Sequence, residues 1–174
     1  MTGAGLENYL QLRAKVDDLC KGIAIQLGDA LVCSRGCDSC CQLITVFPVE
    51  AAAIAAAVEQ LTEAERDVLK VRIRQAAPEG CPLLFKGECL VYAVRPIICR
   101  THGLPVLVKE EQGGRVDVCP LNCQGMKSIP GSAVIELERL NTLLAAVNAL
   151  YLKELDEAPS GERVTILQAL ERLL

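Results

Sequence analysis

The sequence has few of the residues that proteins use to bind nucleic acid. Tryptophan is absent, aromatic residues make up 3% of the chain, and the 18 lysines and arginines are outnumbered by 22 aspartates and glutamates. Nucleic-acid-binding proteins place basic side chains against phosphates and aromatic rings against bases. With a formal net charge of -4, we expect no nucleic-acid partner.

Long apolar runs are also missing, although hydrophobic residues make up 51% of the 174 positions. The longest runs are residues 51–58 and 143–152, and Asn148 interrupts the second. A transmembrane helix needs about 20 apolar residues, so we expect no membrane span. Residues 1–12 lack a basic segment followed by an apolar one, so we also expect no secretory leader and a cytoplasmic protein.

What the sequence does have is cysteine, at ten positions, against a single histidine. Cytoplasmic thiols are kept reduced, so a dense set of cysteines indicates metal or redox chemistry rather than disulfides. Cys20 is excluded from the predicted site because it lies on the apolar face of a predicted helix, where cysteine acts as a small hydrophobe. The other nine are the predicted metal ligands: Cys33, Cys37, Cys40, Cys41, Cys81, Cys89, Cys99, Cys119 and Cys123.

The first four of these cysteines are closely spaced, as C-x3-C-x2-C-C. On a helix, Cys33, Cys37 and Cys40 would share one face, whereas in a loop Gly36 would permit a tight turn; both arrangements bring several sulfurs together. Thiolates are soft anionic ligands that repel one another unless a cation lies among them. The number of cysteines is compatible with two four-ligand sites or with one cluster and additional thiols.

The spacing is compatible with two kinds of cofactor. Tetrahedral zinc is bound by paired C-x2–4-C knuckles, and iron–sulfur clusters use C-x2-C runs with a distant fourth ligand. We expect an iron–sulfur cluster, of the 4Fe–4S type, with zinc as the alternative.

Four further side chains are candidates for contacts around the metal. Arg95 and Arg100 lie near Cys99, where a guanidinium would offset the charge of a sulfur cluster. His102 is a candidate ligand, with a polar turn residue as the simpler interpretation. Glu50 is a candidate proton acceptor, although a carboxylate also suits the first turn of a helix.

The rest of the sequence predicts a mainly α fold of the α+β class. We expect a single compact helical domain over residues 1–174, with a small β-hairpin element around the multi-cysteine metal site. The cysteine core is expected at about 33–123, and the flanking helices at 6–31 and 132–174. These bounds follow from apolar residues at helical spacing on either side of the cysteines.

Local signals predict the individual elements. A helix should begin at Pro48 and run to about Leu61, and Thr62 with Glu65 forms a capping box for the next. Hairpins are expected over 83–92 and 106–118, and a short helical turn after Arg95-Pro96 should end at Gly103. Ser132 can cap the last long helix. A terminal helix should follow the break at 159–161, with Val164, Leu167, Leu170 and Leu174 on one face.

These motifs together resemble the family named for its C-x-x-C-x-x-C-C motif, described as zinc- or iron-chelating proteins and including YkgJ-type proteins and flagellin lysine N-methylases. The resemblance rests on residues 36–41, Glu50, residues 81–84 with 87–92, and residues 95–100. It covers about 33–123 and implies metal chelation, with methyl transfer in one branch. The chain has no glycine-rich S-adenosylmethionine loop after a predicted strand, so methyl transfer is not carried over on the resemblance alone and stays an alternative.

The sequence therefore predicts a cysteine-cluster metal-binding protein and leaves its molecular role open. One alternative is a metal-dependent enzyme, protein-modifying, methyltransferase-like or redox, with an open coordination position or a substrate pocket beside Cys40 and Cys41. The other is a structural zinc domain whose surface binds a protein partner. Full coordination by protein sulfur would favour the structural role, and an exchangeable ligand would favour the enzyme.

Overall fold

The computed structural model describes residues 4–34, 36–74, 80–110, 113–156, 161–171 and 173. The helices in these ranges are α1 (Ala4–Leu27), α2 (Pro48–Val58), α3 (Glu63–Arg74), α4 (Ile97–Thr101), α5 (Leu137–Leu152) and α6 (Ile166–Glu171). The strands are β1 (Thr45–Val46), β2 (Leu84–Phe85), β3 (Glu88–Cys89), β4 (Val106–Glu110), β5 (Gly113–Asp117), β6 (Ile135–Glu136) and β7 (Val164–Thr165). The mainly helical α+β prediction is confirmed.

The strands form three small sheets. β1 pairs antiparallel with β7, and β2 pairs antiparallel with β3. In the third sheet the order is β5-β4-β6, with β4 antiparallel to β5 and parallel to β6. Both predicted hairpins are therefore present, at β2–β3 and β4–β5.

Helix α2 lies between two hydrophobic cores. Val49 and Ala53 belong to the first core, and Ile54 and Val58 belong to the second. The first core consists of Tyr9, Val16, Ile23, Leu27, Phe47, Val49, Ala53, Ile97, Leu104, Ala133, Ile135, Leu140 and Leu144. The second core consists of Val46, Ile54, Val58, Leu69, Leu83, Val91, Val164, Ile166 and Leu170. Apart from Glu50 in its first turn, this alanine-rich helix has only apolar side chains, which suits a helix with a core on each side.

Helices α1 and α5 pack closely at one end. A Cβ atom at Gly5 would collide with the backbone of Tyr151, so only glycine allows this approach. The Gly5 amide donates to the Glu154 carboxylate just beyond α5, at 2.9 and 3.0 Å to its two oxygens. These contacts fix the two longest helices against each other on the first core.

The start of the last long helix differs from the prediction. Ser132 is not its cap: it lies in a 3₁₀ turn at Gly131–Ala133, and its hydroxyl accepts from the Gln26 side-chain amide at 2.7 Å. Residues Ile135–Glu136 first pair with β4, so the helix begins only at Leu137. The sequence pattern of Ile135–Glu136 does not distinguish a short strand from the first turn of the helix that follows.

The terminal helix is also shorter than predicted. Val164 lies in β7, and α6 begins at Ile166, with Ile166 and Leu170 buried. The predicted break at 159–160 and Leu174 lie outside the described residues. None of the helices in the described ranges has both the length and the apolar character needed to cross a membrane.

Candidate metal centre

Residues 33–34 and 36–41 lie in a loop. Of the two arrangements open from the sequence, the described part of this stretch takes the non-helical one, and Gly36 has φ +95°. The Cys37 amide donates to the Ser34 carbonyl at 3.1 Å, and the Cys41 amide donates to the Asp38 carbonyl at 2.8 Å. Two tight turns therefore present the cysteines in succession.

The β2–β3 hairpin carries Cys89 and lies next to Cys81. Lys86 and Gly87 both have positive φ, at 52° and 78°, as a two-residue type I′ turn requires. Cys89 pairs with Leu84 across the hairpin. The Cys81 amide donates to the Cys41 carbonyl at 3.0 Å, which joins the hairpin to the cysteine loop.

Glu50 positions the helix that carries Cys99. Its side chain is 1% exposed; one carboxylate oxygen accepts from the Phe47 amide at 3.0 Å and the other from the Ile97 amide at 2.9 Å. Burial raises the pKa of Glu50, and the hydrogen bonds from Ile97 and Phe47 oppose that shift. Both carboxylate oxygens accept hydrogen bonds from backbone amides. This arrangement corresponds to the second interpretation of Glu50, a carboxylate that suits the first turn of a helix, and not to a proton acceptor. Cys99 is the third residue of α4, whose first residue Glu50 holds.

Asn122 is a site residue that the sequence reasoning missed. It is 3% exposed, and its side-chain amide donates to the Cys33 sulfur at 3.1 Å and to the Gly103 carbonyl at 2.7 Å. Its side-chain carbonyl accepts from the Val32 amide at 2.9 Å. Asn122 thus joins the cysteine loop, the end of α4 and the 119–123 segment. In the sequence, the one indication that Asn122 belongs to the site is its position between Cys119 and Cys123.

Most of the predicted cysteines line one cavity of about 450 Å³, which we call the cysteine cavity. They come from the loop, the hairpin segment, α4 and the 119–123 segment: Cys37, Cys40, Cys41, Cys81, Cys89, Cys99 and Cys119. Apolar side chains, among them Ile44, Leu83, Val91, Ile98 and Ile166, form much of the remaining wall. Elements far apart in sequence therefore bring seven thiols to one place.

The other two predicted ligands lie outside this lining. The Cys33 sulfur lies beside Asn122 and close to Gly103. Cys123 packs against the first core, and its amide donates to the Ala30 carbonyl at 2.7 Å. Cys20 also packs against the first core, and burial raises the pKa of its thiol to about 11.

Burial disfavours ionisation of the cavity thiols. It raises the pKa of Cys99 to about 12, with further increases from the thiolate forms of Cys81 and Cys89. It also raises the pKa of Cys81 to about 11, against the opposing hydrogen bond from the Leu83 amide. Each thiol must lose its proton to bind a metal as a thiolate, and a bound soft cation would offset the cost that burial and mutual repulsion impose on the thiolates.

The three other candidates, Arg95, Arg100 and His102, occupy different surroundings. Arg95 lines the cysteine cavity and lies over the Tyr92 ring, 3.6 Å from its centroid. His102, the C-cap of α4, also lines it. Arg100 is instead turned towards α1, where it pairs with Asp17, and it donates to the Arg95 carbonyl at 2.7 Å.

The donor set has the chemistry that a thiophilic metal requires. All ten cysteines are free, and thiolates in this number are the ligands that zinc and iron–sulfur clusters prefer. Within the described residues, however, no group of three or more histidine, cysteine or acidic side chains could hold a metal ion as they stand. Binding would therefore require the thiols to turn towards a common centre, and the nine-ligand assignment stays a prediction.

Comparison with known proteins agrees with this chemistry. The searches of curated proteins and of solved structures gave no match. The model of one family matches residues 32–124, which include the loop, the hairpin, α4 and the 119–123 segment. Since that match covers more than half of the sequence, the chain belongs to the CxxCxxCC family, described as "Putative zinc- or iron-chelating domain".

Proposed function

We propose that this protein holds an iron–sulfur cluster in the cysteine cavity, with zinc as the alternative occupant. The observation that carries the proposal is that seven thiols from four separate segments line one cavity. Four cysteines complete the ligand shell of a 4Fe–4S cluster, so the cavity supplies more than enough donors. When bound, a cluster of this kind would supply one-electron chemistry.

The surroundings of the thiols support a cluster. Backbone hydrogen bonding at Leu83 and Leu84 lowers the pKa of the Cys81 thiol, and that at Val91 lowers the pKa of the Cys89 thiol, against the larger effect of burial. Hydrogen bonds to sulfur and an apolar wall are the features that tune cluster potentials. Arg95 adds a positive charge beside the thiols of Cys41, Cys89 and Cys99. The dense use of reduced cysteine supports a cytoplasmic location.

The test is the iron, zinc and acid-labile sulfide content of the full chain purified without oxygen, together with its visible spectrum. We expect iron and sulfide in equal amounts and a broad visible absorption. Cys89→Ser should lower both, whereas Cys20→Ala should keep them because Cys20 packs against the first core. Zinc without sulfide would refute the iron–sulfur cluster and support the zinc site. Protein that contains neither iron nor zinc would refute both proposals.

A metal-dependent enzyme is the second candidate, favoured by the position of the cavity. Its volume of about 450 Å³ lies within the range of small-molecule sites, and it extends beside Cys40 and Cys41. An enzyme needs a coordination position that the protein leaves open. We expect an added external ligand, such as imidazole or a small thiol, to change the visible spectrum of the metal-loaded protein. An unchanged spectrum would favour a closed, structural centre.

A further inference from the structure

We infer that the cysteine cavity takes a small carboxylate with an apolar body as its ligand, and that Arg95 binds the carboxylate group. The inference rests on the proposed function, because it names the class of molecule that the metal-containing cavity takes beside its thiols. It goes beyond that function by assigning the charged end of the ligand to one side chain and the apolar end to the aliphatic wall.

The guanidinium of Arg95 is held in one orientation on the cavity wall. It lies over the Tyr92 ring, 3.6 Å from the ring centroid, and its Nε donates to the Tyr92 carbonyl at 3.2 Å. The ring fixes the plane of the guanidinium, and the hydrogen bond uses one of its five N–H groups. The two terminal amino groups form a planar fork of donors, which is the geometry that binds a carboxylate through two parallel hydrogen bonds.

A second arginine fixes the backbone that carries Arg95. Arg100, whose side chain is 6% exposed, donates to the Arg95 carbonyl at 2.7 Å and to the Ala93 carbonyl. The charge of Arg100 is met inside the protein, because it pairs with Asp17 of α1. Arg95, by contrast, makes no ion pair with a carboxylate in the part of the chain that the structure describes. Its charge is therefore available to an anion that enters the cavity.

The wall around Arg95 suits the apolar part of a ligand. The aliphatic side chains of the lining include Ile44, Leu83, Val91, Ile98, Leu121 and Ile166. Two of these, Ile98 and Leu121, are 45% and 51% exposed. A hydrocarbon chain that covers them removes apolar surface from water, which favours binding. The volume of about 450 Å³ is in the range of sites for small molecules.

Compensation of the charge on metal-bound thiolates is the other role open to Arg95. A point charge is enough for that role, so a lysine could replace the arginine. A carboxylate held by two parallel hydrogen bonds needs the planar fork of the guanidinium, which lysine lacks. The two roles are therefore separable by a substitution that keeps the charge.

The test is isothermal titration calorimetry of the full chain, purified without oxygen and assayed for metal, with hexanoate as the probe. We expect hexanoate to bind. Hexanamide has the same shape without the charge and should bind at least about tenfold more weakly, because it loses a charge-assisted pair of hydrogen bonds. Acetate keeps the carboxylate without the apolar body and should also bind at least about tenfold more weakly.

Two arginine variants test the assignment of the carboxylate. Arg95→Lys should weaken hexanoate binding at least about fivefold and leave the metal content unchanged. Arg163→Lys is the matched control, because the Arg163 guanidinium also lies over an aromatic ring, that of Phe47 at 3.9 Å, but does not line the cavity. This variant should bind hexanoate as the wild type does.

Several results would overturn the inference while the protein holds its metal. These are no binding of hexanoate, equal affinity for hexanoate and hexanamide, and equal effects of Arg95→Lys and Arg163→Lys. Hexanoate that binds Arg95→Lys as tightly as the wild type and changes the visible spectrum would assign the carboxylate to the metal instead of Arg95. Protein without iron or zinc would refute the proposed function, and this inference with it.

Discussion

At the residue scale, two glutamates with the same local role have opposite surroundings. Glu50 and Glu65 each accept from the amide three residues earlier, Phe47 and Thr62 respectively, at the start of a helix. Burial raises the pKa of Glu50, whereas the hydrogen bonds from Thr62 lower the pKa of Glu65. The sequence predicted both helix starts. It could not show that the second oxygen of Glu50 binds the distant Ile97 amide, because that contact depends on how α4 packs.

Replacing Glu50 by glutamine should destabilise the protein by about 1–3 kcal/mol. Glutamine keeps the shape but has one acceptor oxygen, so either the Phe47 or the Ile97 amide would be left buried without an acceptor. Urea unfolding followed by circular dichroism measures the loss. Glu65→Gln is the control and should cost less, because water can reach that exposed end. Equal losses would contradict the positioning role of Glu50.

The contribution of Glu65 should depend on pH. Its pKa in the folded protein lies below the ordinary value of 4.5, so its ionised form stabilises α3 above that pH. This contribution is lost as pH falls through the lowered pKa, where the carboxyl is protonated in both states. The difference in stability between wild type and Glu65→Gln should therefore shrink on acidification from pH 7. A difference that grew would contradict the lowered pKa.

At the element scale, the turns and short segments hold the cysteines, while the long helices supply the framework. Glycine and proline signals predicted the hairpins and α4 correctly, because those residues restrict the backbone locally. The start of α5 was wrong because the pairing of Ile135–Glu136 with β4 is not a local property. For the same reason the sequence left helix and loop open at residues 33–41.

Gly103 lies just after the end of α4 and against the Cys33 side chain. Its φ is +89°, and an added Cβ would lie 2.9 Å from the Cys33 sulfur. Gly103→Ala should cost about 1–2 kcal/mol for the left-handed backbone, and more for that contact. We also expect weaker Co²⁺ binding by the reduced, metal-free protein, because Cys33 is one of the predicted ligands.

Gly28→Ala is the matched control for this change. Gly28 also has a positive φ, +49°, but an added Cβ would meet nothing within 4 Å. Gly28→Ala should unfold at a lower temperature than the wild type, because alanine is strained at this φ, and it should bind Co²⁺ as the wild type does. If both variants bound Co²⁺ alike, Gly103 would have no role in shaping the site.

At the scale of the whole molecule, the cysteine cavity is closely associated with the second core. Cys81 and Cys89 pack against that core, whereas α1 and α5 supply much of the first core. Seven of the nine cysteines predicted from the sequence line this cavity, and their role as metal ligands stays a prediction. Which thiols approach one another depends on how the loop, the hairpin and α4 meet, and local patterns carry no such information.

Removing the metal should therefore affect the two parts of the molecule unequally. Chelation under reducing conditions withdraws binding free energy from the folded state, so the melting temperature should fall. Amide hydrogen exchange should accelerate more in residues 36–41 and in β2–β3 than in α1 and α5. Uniform acceleration would show that the metal supports the whole fold instead of the cavity.

The most direct test of the central claim is X-ray absorption at the iron and zinc edges of the protein as purified without oxygen. We expect metal in the sample with a shell of sulfur neighbours at about 2.3 Å, as cysteine thiolates give. A shell made only of nitrogen and oxygen at about 2.0–2.2 Å would contradict it, because the cysteines would then not be the ligands.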